Sequence, residues 1–247
     1  MSVSGLFRGR NSPLRRRPAA GALRGYAICC EPRSGSNLLC SVLDSTGLLG
    51  HPTEYFNGPT RRRRGLAGYP DDPEAQLEKV LDLGATPNGV YGLKIFTYQF
   101  DEVRGTRWAE RLPRLAFVNL IREDVVGQAI SLVRALQTGQ WSHADPIDGR
   151  EVYDFDRIDA ELKRIIHSRE RWSYYLGRNG LATLHLTYEA VVRSPQRAAE
   201  AVADLVGLDE RAIVDMSKVN LERQSDAVSD EWRARFISRA RDLRRFD

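Results

Sequence analysis

Seven consecutive residues, Glu31-Pro32-Arg33-Ser34-Gly35-Ser36-Asn37, combine a cation, a flexible backbone position and three short polar side chains. An apolar run, 26–30, precedes them, and Leu38-Leu39-Cys40-Ser41-Val42-Leu43 follows. That order describes a strand, a turn and the start of a helix, where unpaired amides and the positive helix end attract anions. Gly35 lets the backbone curl closely around a phosphate, and Ser34, Ser36 and Asn37 add donors. The Arg33 guanidinium matches a pair of phosphate or sulfonate oxygens. The nucleotide-triphosphatase loop differs, since it needs a Lys and a Ser or Thr directly after its last Gly. A plain helix cap would also account for Ser36 and Asn37.

A second constellation follows the apolar run 115–121. Arg122 stands at its end, and Asp124 opens an amphipathic segment with Val126, Ile130 and Val133 on one side. Gln128, Ser131 and Arg134, spaced by three, share another face. Arg122 and Ser131 could together grip a second phosphate; the simpler alternative is a surface pair of Arg122 with Asp124 or Glu123. Lys94, near the end of the run 90–96, could stabilise developing charge or merely neutralise a buried acid. Of the four His residues, His51 is the nearest to this chemistry; His143, His167 and His185 read as structural.

Positioning these groups requires alternating strands and helices. Strands are expected at 26–30, 90–96, 115–121 and 181–187, and helices at 37–46, 124–136, 158–175 and 195–206. The alternation predicts an α/β fold, a central parallel sheet with helices on both faces, whose ligands bind beyond the carboxyl ends of the strands. Ser194 and Pro195 should start one helix and Gly207 end it. Ser229 should cap another, with Trp232 and Phe236 on its buried side. Residues 57–73, including Arg61-Arg62-Arg63-Arg64, read as a mobile surface loop.

With 247 residues, 42% hydrophobic and 28% charged, the chain can bury one sizeable core. Residues 1–24, rich in Arg, Gly, Ser and Pro, read as a disordered or weakly docked arm, and 25–247 as a single domain. No apolar run is long enough to cross a bilayer, and no secretory signal is evident, which predicts a cytoplasmic protein without membrane insertion. The odd set Cys29, Cys30 and Cys40 fits reduced, buried thiols and offers poor geometry for a metal, so no metal is expected. A net charge of +4 suits an anionic nucleotide. Nucleic acid is not expected, because the Arg residues do not alternate with aromatics along one element.

Arg33-Ser34-Gly35-Ser36, the Arg122 and Ser131 pair, and Tyr188-Glu189-Ala190-Val191 resemble sulfotransferases that use 3′-phosphoadenosine 5′-phosphosulfate (PAPS). More narrowly, the chain resembles the Stf0, or trehalose 2-sulfotransferase-like, family. Supporting segments are Gly50-His51-Pro52-Thr53-Glu54-Tyr55-Phe56, Thr86-Pro87-Asn88-Gly89-Val90-Tyr91-Gly92-Leu93-Lys94 and Leu221-Glu222-Arg223-Gln224-Ser225-Asp226. The resemblance implies a P-loop-like three-layer fold, a homodimer and PAPS as donor co-substrate. It places the 5′-phosphosulfate on residues 33–37, the 3′-phosphate on Arg122 and Ser131, and Arg223 and Gln224 over the nucleotide.

The resemblance also makes Glu54 the general base, with Arg33 and Lys94 stabilising charge. Chain geometry permits this. A helix over 37–46 carries the chain away by about 15 Å, and seven extended residues span about 23 Å back. The implied acceptor is a hydroxyl of a carbohydrate or glycosylated metabolite, met by Pro32, His51, Glu54, Tyr55 and Asn57. Pro32 and His51 replace Gln and Glu of the trehalose-sulfating members, so the implication stops short of trehalose itself. The alternatives are a nucleotide-dependent phosphotransferase and a non-catalytic nucleotide-binding protein.

Overall fold

The computed structural model describes residues 23–141, 145–219 and 226–242. His143, Arg223, Gln224 and nearly all of the expected N-terminal arm lie outside the described residues. Four strands, β1 (Arg24–Cys30), β2 (Val90–Phe96), β3 (Leu115–Ile121) and β4 (Thr183–Thr187), form one parallel sheet in the order β2-β1-β3-β4. The helices are α1 (Ser36–Ser45), α2 (Gly58–Arg63), α3 (Pro73–Gly84), α4 (Thr97–Val103), α5 (Trp108–Arg111), α6 (Val125–Thr138), α7 (Phe155–Arg178), α8 (Tyr188–Arg193), α9 (Pro195–Leu205) and α10 (Ala227–Asp242).

β1 is central and buried on both faces, as a near-continuous apolar run requires in a parallel sheet. Its alternation divides the core. Tyr26, Ile28, Cys30, Val118 and Leu120 pack with α1 and α9 on one face. Ala27, Cys29, Leu93, Ile95 and Phe117 pack with α3, α5 and α7 on the other. Helices therefore cover both faces, as expected. Ile28 pairs with both Lys94 and Val118, so the carboxyl ends of β1, β2 and β3 lie side by side.

Several local expectations need correction. The segment 57–73 is not merely a surface loop, because it contains α2, whose first turn is capped by Asn57 Oδ1 accepting from Thr60 N at 3.2 Å. Ser229 does not cap α10; Asp226 Oδ1 accepts from Ser229 N at 3.0 Å and starts the helix three residues sooner. Trp232 and Phe236 are buried against α6 and α7 as expected. β4 begins at Thr183 rather than 181. The three thiols are buried and unbridged, and burial pushes Cys40 up to about 11.

The return from α1 toward β2 depends on a backbone contact. Gly50 has φ 73°, and a Cβ there would lie 2.6 Å from Gly92 N and 2.8 Å from Gly84 O. Only glycine meets both demands. Beyond it Lys94 N donates to Thr53 O at 2.9 Å, and Glu54 bridges Lys94 in parallel, adding a short edge to β2.

Candidate active site

A cavity of about 1500 Å³ opens at the carboxyl ends of the strands. Its lining includes Arg33, Gly35, Ser36 and Asn37 from the β1–α1 turn, Glu54, Lys94, Arg122 and Ser131. Arg33 (φ 63°) and Gly35 (φ 82°) are both left-handed, which bends the turn into a concave nest of amides at the N-terminus of α1. No side chain among the described residues caps this helix, leaving its first amides open to the cavity. Tyr188 lies so close to Gly35 that a Cβ there would sit 2.2 Å from its ring.

One end of the cavity holds a matched set of charges. Lys94 Nζ lies 2.9 Å from Glu54 Oε1 and donates to Asn37 Oδ1 at 2.6 Å. Glu54 Oε2 accepts from Asn57 Nδ2 at 2.8 Å and Gln99 Nε2 at 3.1 Å. Burial pushes the Glu54 carboxyl up, but Lys94 and the two amides outweigh it and leave the carboxyl below its ordinary value. Burial pushes Lys94 down, and Glu54 more than restores it. Glu54 is thus an ionised acceptor facing the cavity, with Lys94 bridging it to Asn37 of the β1–α1 turn.

The other end gathers several guanidinium groups around fewer close carboxylates. Arg33 Nε donates to Ser131 Oγ at 2.9 Å and Nη1 to Trp141 O at 2.6 Å. Arg33 therefore points toward α6, away from the carboxylate end. Burial, then Arg122 and Arg134, push the Arg33 guanidinium down to about 10. Arg122 stacks 5.1 Å from the Tyr188 ring centroid, and its Nη2 lies 3.5 Å from Asp124 Oδ2. Its Nε is buried without a hydrogen-bond partner among the described residues. The same Asp124 oxygen also pairs with Arg233, so one carboxylate serves two guanidinium groups.

A layer behind the turn fixes both ends. Gln128 Nε2 donates to Pro32 O at 2.8 Å, while Arg169 Nη2 donates to Gln128 Oε1 and Arg122 O, each at 2.6 Å. Buried Glu31 accepts from Thr97 N at 3.2 Å and Thr97 Oγ1 at 2.7 Å. Glu189 Oε2 accepts from Glu123 N at 3.0 Å, closing the N-terminus of α6.

The structure brings Pro32, Arg33, Gly35, Ser36, Asn37, Glu54, Asn57, Lys94, Arg122 and Ser131 to one cavity. It does not bring His51, Tyr55 or the Ser34 side chain there. His51 Nδ1 lies 2.5 Å from Asp44 Oδ1, Tyr55 is buried with its hydroxyl donating to His51 O, and Ser34 is buried behind the turn. Those side chains support the wall from outside it. Gln99 was not evident from sequence, although it is fully buried and touches Glu54. Phe96 N donates to Gln99 Oε1 at 3.0 Å, which turns the amide nitrogen toward the carboxylate. The readable signal was its place in the first turn after the strand bearing Lys94.

The Stf0 sulphotransferase family model matches residues 25–239. The trehalose 2-sulfotransferase of Mycobacterium tuberculosis is 30% identical, covering 89% of this chain and 96% of the relative. That of Mycolicibacterium smegmatis is 27% identical, covering 85% and 93%. A looser likeness, TM-score 0.48 and 18% identity over 89% of this chain and 90% of the other, is to a sulfotransferase domain from the Synechococcus PCC 7002 olefin synthase.

Proposed function

The chain belongs to the Stf0 sulfotransferase family and is a sulfotransferase, and on that premise we propose that it moves a sulfonate group from PAPS to a carbohydrate hydroxyl, with Glu54 as the base. One observation carries this: the ionised Glu54 shares a cavity with the α1 nest and is tied to it through Lys94 and Asn37. The nest and Lys94 would face the 5′-phosphosulfate, while Arg122, Ser131 and Arg33 would hold the 3′-phosphate. Arg33 is assigned to the second group because its guanidinium reaches Ser131.

In this mechanism Glu54 takes the proton of the acceptor hydroxyl as its oxygen attacks sulfur in line. The bond from sulfur to the bridging phosphate oxygen breaks, and adenosine 3′,5′-bisphosphate leaves. Lys94 and the turn amides stabilise charge on the bridging and equatorial oxygens. No step requires a metal, so chelator should leave the rate unchanged. The acceptor class follows the relatives named for trehalose, a neutral disaccharide being the first compound to assay. A cytoplasmic homodimer belongs to the same proposal and is checked by light scattering and fractionation; no helix among the described residues is long and apolar enough to cross a membrane.

The test is a thermal shift with adenosine 3′,5′-bisphosphate against ATP with Mg²⁺, followed by transfer of labelled sulfonate from PAPS to sugars. Stabilisation by the bisphosphate together with labelled sugar is expected. A response only to ATP with Mg²⁺ would overturn the donor assignment in favour of a phosphotransferase, and binding without transfer would favour a nucleotide-binding protein.

A further inference from the structure

The four consecutive arginines of α2 and its end divide into two pairs. Arg61 lies 5.5 Å from the Tyr55 ring centroid and 5.8 Å from that of Tyr69, and Nη1 donates to Thr53 Oγ1 at 3.1 Å. Arg62 donates to Tyr69 O at 2.9 Å and pairs with Asp71 at 2.8 Å. Both are occupied in holding the segment together. Arg63 and Arg64 are exposed, and both line the active-site cavity. Neither has a carboxylate partner among the described residues; Arg63 Nη2 reaches only the neutral Thr60 Oγ1, at 3.1 Å.

Charge runs are usually just solvated, but position distinguishes this pair. α2 starts from Asn57, whose side chain holds Glu54. Seven residues at helical rise put Arg64 about 10 Å farther on, the scale of a disaccharide. Tyr98, 46% exposed, lines the same cavity beside Phe96, their ring centroids 5.7 Å apart, and offers a flat apolar face to a sugar ring. Glu54 is already paired with Lys94, so Arg63 and Arg64, with no carboxylate in contact among the described residues, add positive charge beside it. Planar guanidinium groups of this kind favour phosphate and carboxylate oxygens.

We propose that the acceptor is a sugar carrying a phosphate or carboxylate, gripped by Arg63 and Arg64 while a hydroxyl elsewhere on it faces Glu54. This inference rests on the sulfotransferase reading of the cavity and narrows its substrate class. The anion sets the orientation of the sugar, and with it which hydroxyl is presented to the base.

Calorimetry with trehalose, trehalose 6-phosphate and a glucuronic acid disaccharide decides it, with adenosine 3′,5′-bisphosphate saturating so that the nucleotide phosphate sites are filled. The wild-type chain should bind at least one anionic sugar about fivefold more tightly than trehalose at low salt. That preference should approach unity in R63S/R64S and reverse in R64E, with melting temperatures confirming that both variants fold. Lysine at both positions should keep part of a carboxylate preference and less of a phosphate preference, since the fork is lost. Equal wild-type affinity for neutral and anionic sugars, or a preference that survives R63S/R64S, would overturn the proposal. Failure of the bisphosphate to raise the melting temperature would sink the donor assignment instead. The sugar comparison would still be decided by its dependence on Arg63 and Arg64, because it reads binding and not turnover.

Discussion

At one end of the cavity Lys94 and Glu54 sit 2.9 Å apart, with Asn37, Asn57 and Gln99 satisfying the remaining bonds. At the other, the Arg122 charge opposes that of Arg33, Arg122 Nε has no hydrogen-bond partner among the described residues, and Asp124 is shared with Arg233. The first end is electrostatically complete before any ligand arrives. The second leaves a buried guanidinium nitrogen without a hydrogen bond among the described residues. On the proposed reading, a site divided in this way holds Glu54 in a fixed geometry and draws anion affinity from relief of repulsion between its own cations.

Substitutions at the two ends should therefore separate turnover from binding. Glu54→Gln should have the largest effect, lowering kcat about 10² to 10⁴-fold while the thermal shift with adenosine 3′,5′-bisphosphate persists. Near-normal turnover would remove Glu54 from the chemistry. Lys94→Met should follow, because it strands a buried carboxylate; a loss of about 3 kcal/mol is expected from denaturant unfolding at neutral pH. The Glu54 carboxyl lies below its ordinary value in the folded protein, so stability from its pairing is present above the unfolded value and lost as pH falls through the folded one. The deficit of Lys94→Met should accordingly shrink in acid.

Arg122→Leu tests the opposite end, with the bisphosphate expected to bind about 30-fold more weakly by calorimetry while the unliganded melting temperature holds or rises. A fall in the unliganded melting temperature would show that Arg122 contributes more to the fold than to the anion. Gln99→Leu should be mildest, costing about 1 kcal/mol of stability. It removes one donor from Glu54, so the acidic limb of the kcat profile should move toward neutral pH, with nucleotide affinity unchanged. A purely structural Gln99 would leave that limb in place.

The division between what sequence revealed and what it concealed follows the chemistry of burial. β2 and β3 occupy the expected residues because their apolar runs are continuous and bounded by turns. α3 went unread despite a usable signal, Asp72 accepting from Ala75 N with Pro73 in the first turn. α2 is shorter than two helical turns and carries its arginines partly as packing, as with Arg61 between two tyrosines, so periodicity could not reveal it. Gln99 shows the same limit within the site. A glutamine that is fully buried and one that faces water look alike in sequence, and only the carboxylate beside it separates them. The sequence marks Arg33 as a candidate for holding an anion, but a long side chain leaves its direction open, and here it crosses to α6.

Gly50 fixes where the segment leading to Glu54 begins. Its backbone rests on that of Gly92 and Gly84, a contact with no side chain available to adjust. The stop is therefore rigid, and the four residues from it to Glu54 inherit its position. The chain beyond, where Arg63 and Arg64 lie, carries no such restraint from β2. On the proposed reading, specificity can thus drift along 57–64 over evolutionary time while Glu54 stays in register with the β1–α1 turn, as an interchangeable head does on a fixed shaft.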